Sequence, residues 1–281
     1  MEVIQYIQGF ANPFLDFFFS TITHIGGSTI GILFSILLFW CVNKRLGYKF
    51  LYAVIFSFSL NNLIKGFFNS PRPIGQPGIL SSDIATATGS SFPSGHSQAS
   101  ATTFTFLISQ YRNIYIWIIG IFMMIMVPLS RLYLGVHWPK DVIAGTIIGI
   151  ISVFISNKIF ESSFDKSSSF IIYSLILFLT IGIFVPSNDL SKSLGAFIGL
   201  VVSLIIEKKF INFDPNGSFI NHLIKCLIGV IGALIIYLVF SKFLPSSNFF
   251  SSLKYFLIVM WAVSISPYIF IKFKLCNKAS I

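Results

Sequence analysis

A chain of 281 residues that is 55% hydrophobic and 10% charged does not have the make-up of a soluble globular protein, in which charged residues make up about a quarter. The net charge of +10 would suit nucleic acid in a soluble protein, but here the basic residues stand in short loops between apolar runs. Membrane topology and anionic headgroups account for them there, so no nucleic-acid partner is expected.

The first stretch, Val3 to Ile25, is apolar but interrupted by Gln5, Gln8, Asn12, Pro13, Asp16, Thr21, Thr23 and His24. Phe10, Phe14, Phe17 and Phe18 recur at helical spacing, which predicts an amphipathic helix over 1–27 lying in the membrane interface. Gly26-Gly27 breaks it. Met1-Glu2 brings no basic segment and no small-residue cleavage site follows, so no removable signal peptide is expected.

About nine apolar runs follow, each near the roughly 20 residues that cross about 30 Å of hydrocarbon. They lie at 28–43, 48–67, 95–111, 114–132, 139–158, 168–186, 191–207, 220–242 and 252–272. The expected fold is an all-α, polytopic helical bundle in three parts: the interfacial helix (1–27), a core of five spans (28–160) and a four-span extension (161–281). Lys44, Arg45, Lys49, Arg112, Lys158, Lys166, Lys208, Lys209 and Lys225 gather on one side with the basic tail, and that excess marks the cytoplasmic face. The N-terminus is then outside, or lumenal, and the C-terminus inside, in a multi-pass protein read as belonging to a bacterial cytoplasmic membrane. Cys41, Cys226 and Cys276 fall at or near the reducing face without CxxC spacing, so free thiols are expected.

The longest polar connection, Gly66 to Pro93, falls outside and is rich in Gly, Pro, Ser and Thr. Turn chemistry predicts an irregular segment, read here as a partly ordered lid because both ends carry charged or cap-forming residues. Lys65 precedes it, as a snorkelling anchor or an anion ligand in equal measure, and Arg72-Pro73 lies within it. At its far end Pro93-Ser94-Gly95-His96 opens a helix, with Ser94 as the cap, Gly95 permitting close backbone approach and free N–H groups that suit an anion. Ser130-Arg131 and His137-Trp138-Pro139-Lys140-Asp141 follow, with Pro139 as a first helical residue and Asp141 in reach of His137.

Under a topology drawn without them, these segments share one side of the membrane. Together they supply three cations, a helix N-terminus, two histidines and a carboxylate. This set suits phosphoryl transfer: spread positive donors, an imidazole that attacks and a second that protonates the leaving oxygen. No cluster has metal-ligand spacing, so neither metal nor cofactor is expected. Asn61 stands one turn before Lys65, as a site neighbour or as helix–helix glue, and Gln98, Thr102 and Thr105 form a polar stripe on the third span. His24 and His222 read as bland.

Lys65-x6-Arg72-Pro73, Pro93-Ser94-Gly95-His96 and Ser130-Arg131-x5-His137-x3-Asp141 resemble, in order and spacing, the three signature motifs of the type 2 phosphatidic acid phosphatase superfamily. That group takes in lipid phosphate phosphatases, glucose-6-phosphatase and vanadium haloperoxidases. The resemblance implies phosphate binding by Lys65, Arg72 and Arg131 with help from Ser94 and Gly95. It implies His137 as nucleophile, Asp141 as its orienting partner, His96 as acid for the leaving group, and a phosphohistidine intermediate. The implied function is a metal-independent membrane phosphatase acting on a lipid phosphate or diphosphate monoester. The alternatives are a sugar-phosphate phosphatase or phosphotransferase of the same fold, or a non-catalytic lipid-phosphate binder or transporter. The chain departs from the common bacterial six-span pattern at both ends, and residues 168–272 carry no second constellation. That part reads as scaffold or homodimer surface, or as a wall shaping lipid entry.

Overall fold

The computed structural model describes residues 1–164 and 169–279. Lys166 and the start of the sixth expected span at residue 168 lie outside the described residues. Among those described, regular structure is helical apart from a single β-bridge between Phe213 and Lys278. The helices are α1 (Glu2–Gln8), α2 (Pro13–Ile25), α3 (Ser28–Cys41), α4 (Lys44–Phe68), α5 (Gly95–Gln110), α6 (Ile114–Tyr133) and α7 (Pro139–Phe164). After residue 168 come α8 (Ser169–Gly182), α9 (Asn188–Ile206), α10 (Phe219–Phe243), α11 (Asn248–Met260) and α12 (Ser266–Lys272), with π-helical turns at Glu207–Ile211 and Trp261–Ile265. The chain is an all-α, multi-pass integral membrane protein.

Each expected span falls on a helix, but the helices do not by themselves establish nine crossings. Five stretches are long and apolar enough: α4, α6, Pro139–Ser162, α10 and the run Asn248–Lys272. A sixth is reached when α2 and α3, bent by 44° at the Gly26-Gly27 break, are taken as one broken span. Three of the other four, all but α9, fall short for physical reasons. α3 and α8 have 14 residues each, and at a rise of about 1.5 Å per residue such a helix is shorter than the hydrocarbon it must cross. α5 begins with nine residues of which only alanines are apolar, and that polar half packs inside the protein.

Contacts divide the chain into two compact units that do not follow chain order: residues 1–32 with 56–157, and residues 33–55 with 158–281. In the first unit the expected interfacial helix is two helices. The chain turns at Gly9–Asn12, and Asn12 caps α2 by accepting from Leu15 N at 3.0 Å. α2 has two apolar faces. Phe10 before it and Phe14 and Phe17 within it stay exposed, while Phe19, Ile22 and Thr23 are buried. Phe19 packs on Tyr133, Leu134 and Val136, and Ile22 on Met123 and Val127 of α6. Gln8 Nε2 donates to Leu80 O and Tyr133 O at 2.6 and 2.8 Å, tying the N-terminal segment to the motif loop.

α5 and α7 meet at backbone distance because Gly145 and Gly149, one turn apart, carry no side chain. A Cβ on either would stand 2.5 Å from Ser94 O or Gln98 O. This close approach brings the start of α7 to the start of α5, where Ser94 N donates to Asp141 O at 2.9 Å. α4 joins α5 through buried amides and hydroxyls: Asn61 Nδ2 to Gln98 Oε1 at 2.7 Å, Gln98 Nε2 to Ser57 O at 2.7 Å, and Ser57 Oγ with Thr102 Oγ1 at 2.8 Å. Asn61 and the α5 stripe are thus helix–helix glue.

The second unit is built around an aromatic core of Phe39, Tyr48, Tyr52, Phe160, Phe197, Phe213 and Phe270. Its one fully buried carboxylate, among the described residues, is satisfied three ways. Glu207 takes Lys44 Nζ at 3.1 Å, Tyr48 Oη at 2.8 Å and Phe213 N at 3.1 Å. The three cysteines are free, as expected, although Cys41 and Cys226 bring their sulfurs to 3.9 Å. The Asp214–Gly217 turn is closed by Asn216 N donating to Asp214 Oδ1 at 3.0 Å.

Candidate active site

All eight sequence-predicted site residues lie in the first unit. Local structure explains how each is presented. Lys65 stands in the last turn of α4 and Arg131 in the last turn of α6, where a cation meets the negative end of the helix dipole. Ser94 caps α5, its hydroxyl accepting from Ser97 N, so Gly95 and His96 hold the first two amides, which have no acceptor within the helix. α7 begins at Pro139, and Asp141 sits in its first turn.

The loop between α4 and α5 is ordered by its own bonds. Ser91 N donates to Ser70 O at 2.9 Å, Ser70 N to Ser90 Oγ at 2.8 Å, and Ser82 N to Leu134 O at 3.0 Å. Arg72 is the hub of this stitching. Its Nη2 donates to Thr88 O at 2.7 Å, its Nε to Gly89 O at 3.1 Å and its Nη1 to Val136 O at 2.9 Å. Lys65 Nζ donates to Ser90 O.

The same Arg72 Nη1 lies 3.0 Å from His137 Nε2. A guanidinium only donates, so Nε2 bears the lone pair and the ring proton belongs to Nδ1. Nδ1 faces Asp141 Oδ2 at 3.5 Å and Ser91 Oγ at 3.4 Å. Asp141 Oδ2 also accepts from Ser91 Oγ at 2.5 Å and from Trp138 N at 2.8 Å. His137, Asp141 and Ser91 are all buried, at 2, 0 and 0% exposure. Burial pulls the His137 imidazole down to about 3, with Arg72, Arg131 and Lys65 pushing the same way and Asp141 opposing. The ring is neutral at physiological pH, with its basic nitrogen turned toward cations. Burial also lowers the Arg72 guanidinium, against the pull of Asp141.

His96, in the first turn of α5, has Arg131, His137, His24 and Arg72 as its electrostatic neighbours. The arrangement thus brings together the predicted cations, both histidines, the carboxylate and the α5 N-terminus. It also contains residues that sequence reasoning missed or dismissed: Ser91 on the carboxylate, and Thr23, Asp83 and Thr86 around Arg131. His24, read as bland, lies 3.8 Å from Asp83 Oδ2.

Comparison with known proteins assigns the region that carries these residues to a family. Residues 46–165, which hold all eight, match the PAP2 superfamily, and residues 191–279 match the transmembrane extension of PAP2 superfamily phosphatases. The chain is 33% identical over 166 residues to a probable sphingosine-1-phosphate phosphatase of Dictyostelium discoideum, covering 54% of this chain and 40% of that protein. It is 27% identical to phosphatidylglycerophosphatase B of Bacillus subtilis (strain 168), over 51% of this chain and 74% of that protein. The crystal structure of Aquifex aeolicus LpxE is similar at 30% identity, over 56% of this chain and 93% of that one, with a TM-score of 0.49. The chain thus spans less than half the length of the Dictyostelium relative.

Proposed function

We propose that this chain, which belongs to the PAP2 superfamily, hydrolyses a phosphate monoester carried by a membrane lipid, with His137 as the nucleophile. The observation that carries the reading is the His137 ring itself: a buried, neutral imidazole whose Nε2 lone pair faces Arg72 while Nδ1–H faces Asp141. Such a ring can attack phosphorus without first losing a proton.

A bound phosphate competes with the loop carbonyls for Arg72 and Lys65. Their donors, Arg131 and the amides of Gly95 and His96 then spread over the oxygens that gain charge in the transition state, whereas the amide of Ser94, expected to help, already donates to Asp141 O. As the N–P bond forms the ring becomes cationic, and Asp141, itself held by Ser91 and Trp138 N, stabilises it. His96 gives its proton to the departing lipid oxygen and afterwards takes one from the water that hydrolyses the phosphohistidine. Three cations supply the charge neutralisation, so EDTA is expected to leave turnover intact.

The placement of lysines and arginines along the sequence supports a site on the outer face of the membrane, with the N-terminus outside and the C-terminus in the cytoplasm. A lipid phosphate is the favoured substrate because the relatives are named for such substrates and the motif residues stand at helix ends. The test is phosphate release by purified protein against phosphatidic acid, phosphatidylglycerophosphate, a sphingoid base phosphate and a polyprenyl diphosphate, with His137→Ala as the blank. Release from at least one, absent in the blank, is expected. Release from none would overturn the reading in favour of a binder.

A further inference from the structure

Arg131 is wholly buried, and a buried guanidinium needs acceptors for its donors and a fixed orientation for its plane. The acceptors come from outside the three motifs. Nη1 donates to Thr23 Oγ1 at 2.9 Å and Nη2 to Thr86 Oγ1 at 3.1 Å. Asp83 Oδ2 stands farther off, 3.7 Å from Nη1. Nε is buried and has no protein partner.

Thr23 belongs to α2, ahead of residue 46, where the family match begins. It is 0% exposed. Its hydroxyl is not what docks the helix. Phe19 and Ile22 pack against residues of α6, and Tyr133 Oη donates to Asp16 Oδ1 at 2.5 Å, so α2 is held by residues other than Thr23. What the hydroxyl adds is an acceptor for one nitrogen of Arg131.

The nature of that acceptor matters. A carboxylate at hydrogen-bond distance would orient the guanidinium but also neutralise it, and would compete with an incoming phosphate. Neutral hydroxyls at hydrogen-bond distance fix the plane, and the Asp83 carboxylate at 3.7 Å pairs with the charge more loosely than a directly bonded one would. Two such hydroxyls, from segments 63 residues apart in sequence, each take one proton of a terminal nitrogen, and Nε is the guanidinium nitrogen with no partner.

We propose that Thr23 is a positioning residue for phosphate binding: with Thr86 it clamps the Arg131 guanidinium so that the unpartnered Nε is presented to a phosphate oxygen. This rests on reading the site as a phosphate pocket. It makes α2 part of the phosphate-binding machinery as well as an attachment to the membrane.

The experiment measures binding of inorganic phosphate to the purified full-length protein by titration calorimetry, and the split between kcat and KM on a lipid phosphate. Thr23→Val keeps the shape and removes the acceptor, and Thr23→Ser keeps the acceptor. A hydrogen bond to a charged group is worth enough that its loss should weaken phosphate binding by about tenfold to a hundredfold in Thr23→Val. KM should rise in step, and Thr23→Ser should recover binding to within about threefold of the native protein. Should Thr23→Val not fold, Thr23→Ala carries the same expectation. Native-like phosphate binding in the folded valine or alanine variant would overturn the assignment. So would equal loss in the serine variant, which would mark a packing role. Failure of the native protein itself to bind phosphate would instead overturn the phosphate pocket, whatever Thr23 does.

Discussion

Replacing Asp141 with Asn removes one charge and almost no volume. In the native site Oδ2 takes three donors, Ser91 Oγ at 2.5 Å, Trp138 N at 2.8 Å and His137 Nδ1 at 3.5 Å. The amide oxygen can keep the first two, so the fold around the start of α7 should survive. What changes is the histidine. The imidazolium formed during attack loses a charge-assisted partner worth about 1.5–3 kcal/mol, or roughly tenfold to a hundredfold in rate. If the amide NH2 turns toward Nδ1, the ring proton moves to Nε2 and the attacking lone pair is gone. In another fold, the same replacement behind a catalytic histidine costs about 10⁴ through the wrong tautomer. The expected fall in kcat is therefore between about tenfold and about 10⁴, with KM little changed, because Asp141 touches no phosphate oxygen in this mechanism. Phosphate release from a lipid phosphate in mixed micelles, on protein of native elution profile, is the assay. A kcat within about threefold of native would refute the argument that the carboxylate sets the tautomer.

Ser91→Ala should lower kcat by about tenfold, since it strips one hydrogen bond from a buried carboxylate whose Oδ1 is already without a partner. The loss should be reversed by Ser91→Thr in steady-state kinetics if the loop accepts the extra methyl. His96→Ala should abolish hydrolysis of lipid esters but retain much more activity on p-nitrophenyl phosphate, whose leaving group needs no proton; equal loss on both would remove His96 from the acid role. The lowered His137 value has a sign for stability. Between its unfolded value of 6.5 and about 3, the unfolded chain binds a proton that the folded chain does not. The contribution is therefore complete above about pH 6.5 and is lost as pH falls toward 3, by about 1.4 kcal/mol per pH unit at most. Thermal unfolding from pH 7 to pH 4 should show a shallower acid-side loss in His137→Gln than in the native protein.

Much of the site was legible because its chemistry is carried by short local patterns. Ser94 as a cap, Pro139 as a first helical residue and Asp141 in reach of His137 follow from spacing and helix-start rules, and all three stand where those rules put them. Apolar runs likewise located the helices. What could not be read were contacts of common residue types across long stretches of chain. Ser91 lies in a Ser/Thr/Gly-rich loop and reads as a turn residue, yet it meets a carboxylate 50 residues away. Thr23 interrupts an apolar helix and reads as tolerated polarity, yet it meets a guanidinium 108 residues on. Phe14 and Phe17 mark the exposed face of α2, Phe18 of the same pattern packs on the docked side, and the residues that dock, Phe19, Ile22 and Thr23, are spaced no differently from a second membrane-facing stripe. The count of crossings suffered from the same limit: hydropathy finds apolar runs, and α5 buries its polar half against α4 and α7.

The central claim is a covalent phosphate on His137. Rapid acid-free quenching of purified protein mixed with a ³²P-labelled lipid phosphate, followed by peptide mapping, tests it directly. The account predicts an acid-labile, base-stable label on the peptide that contains His137, formed faster than phosphate is released and absent from His137→Ala. A label on another residue, or undiminished turnover in His137→Ala, would contradict it.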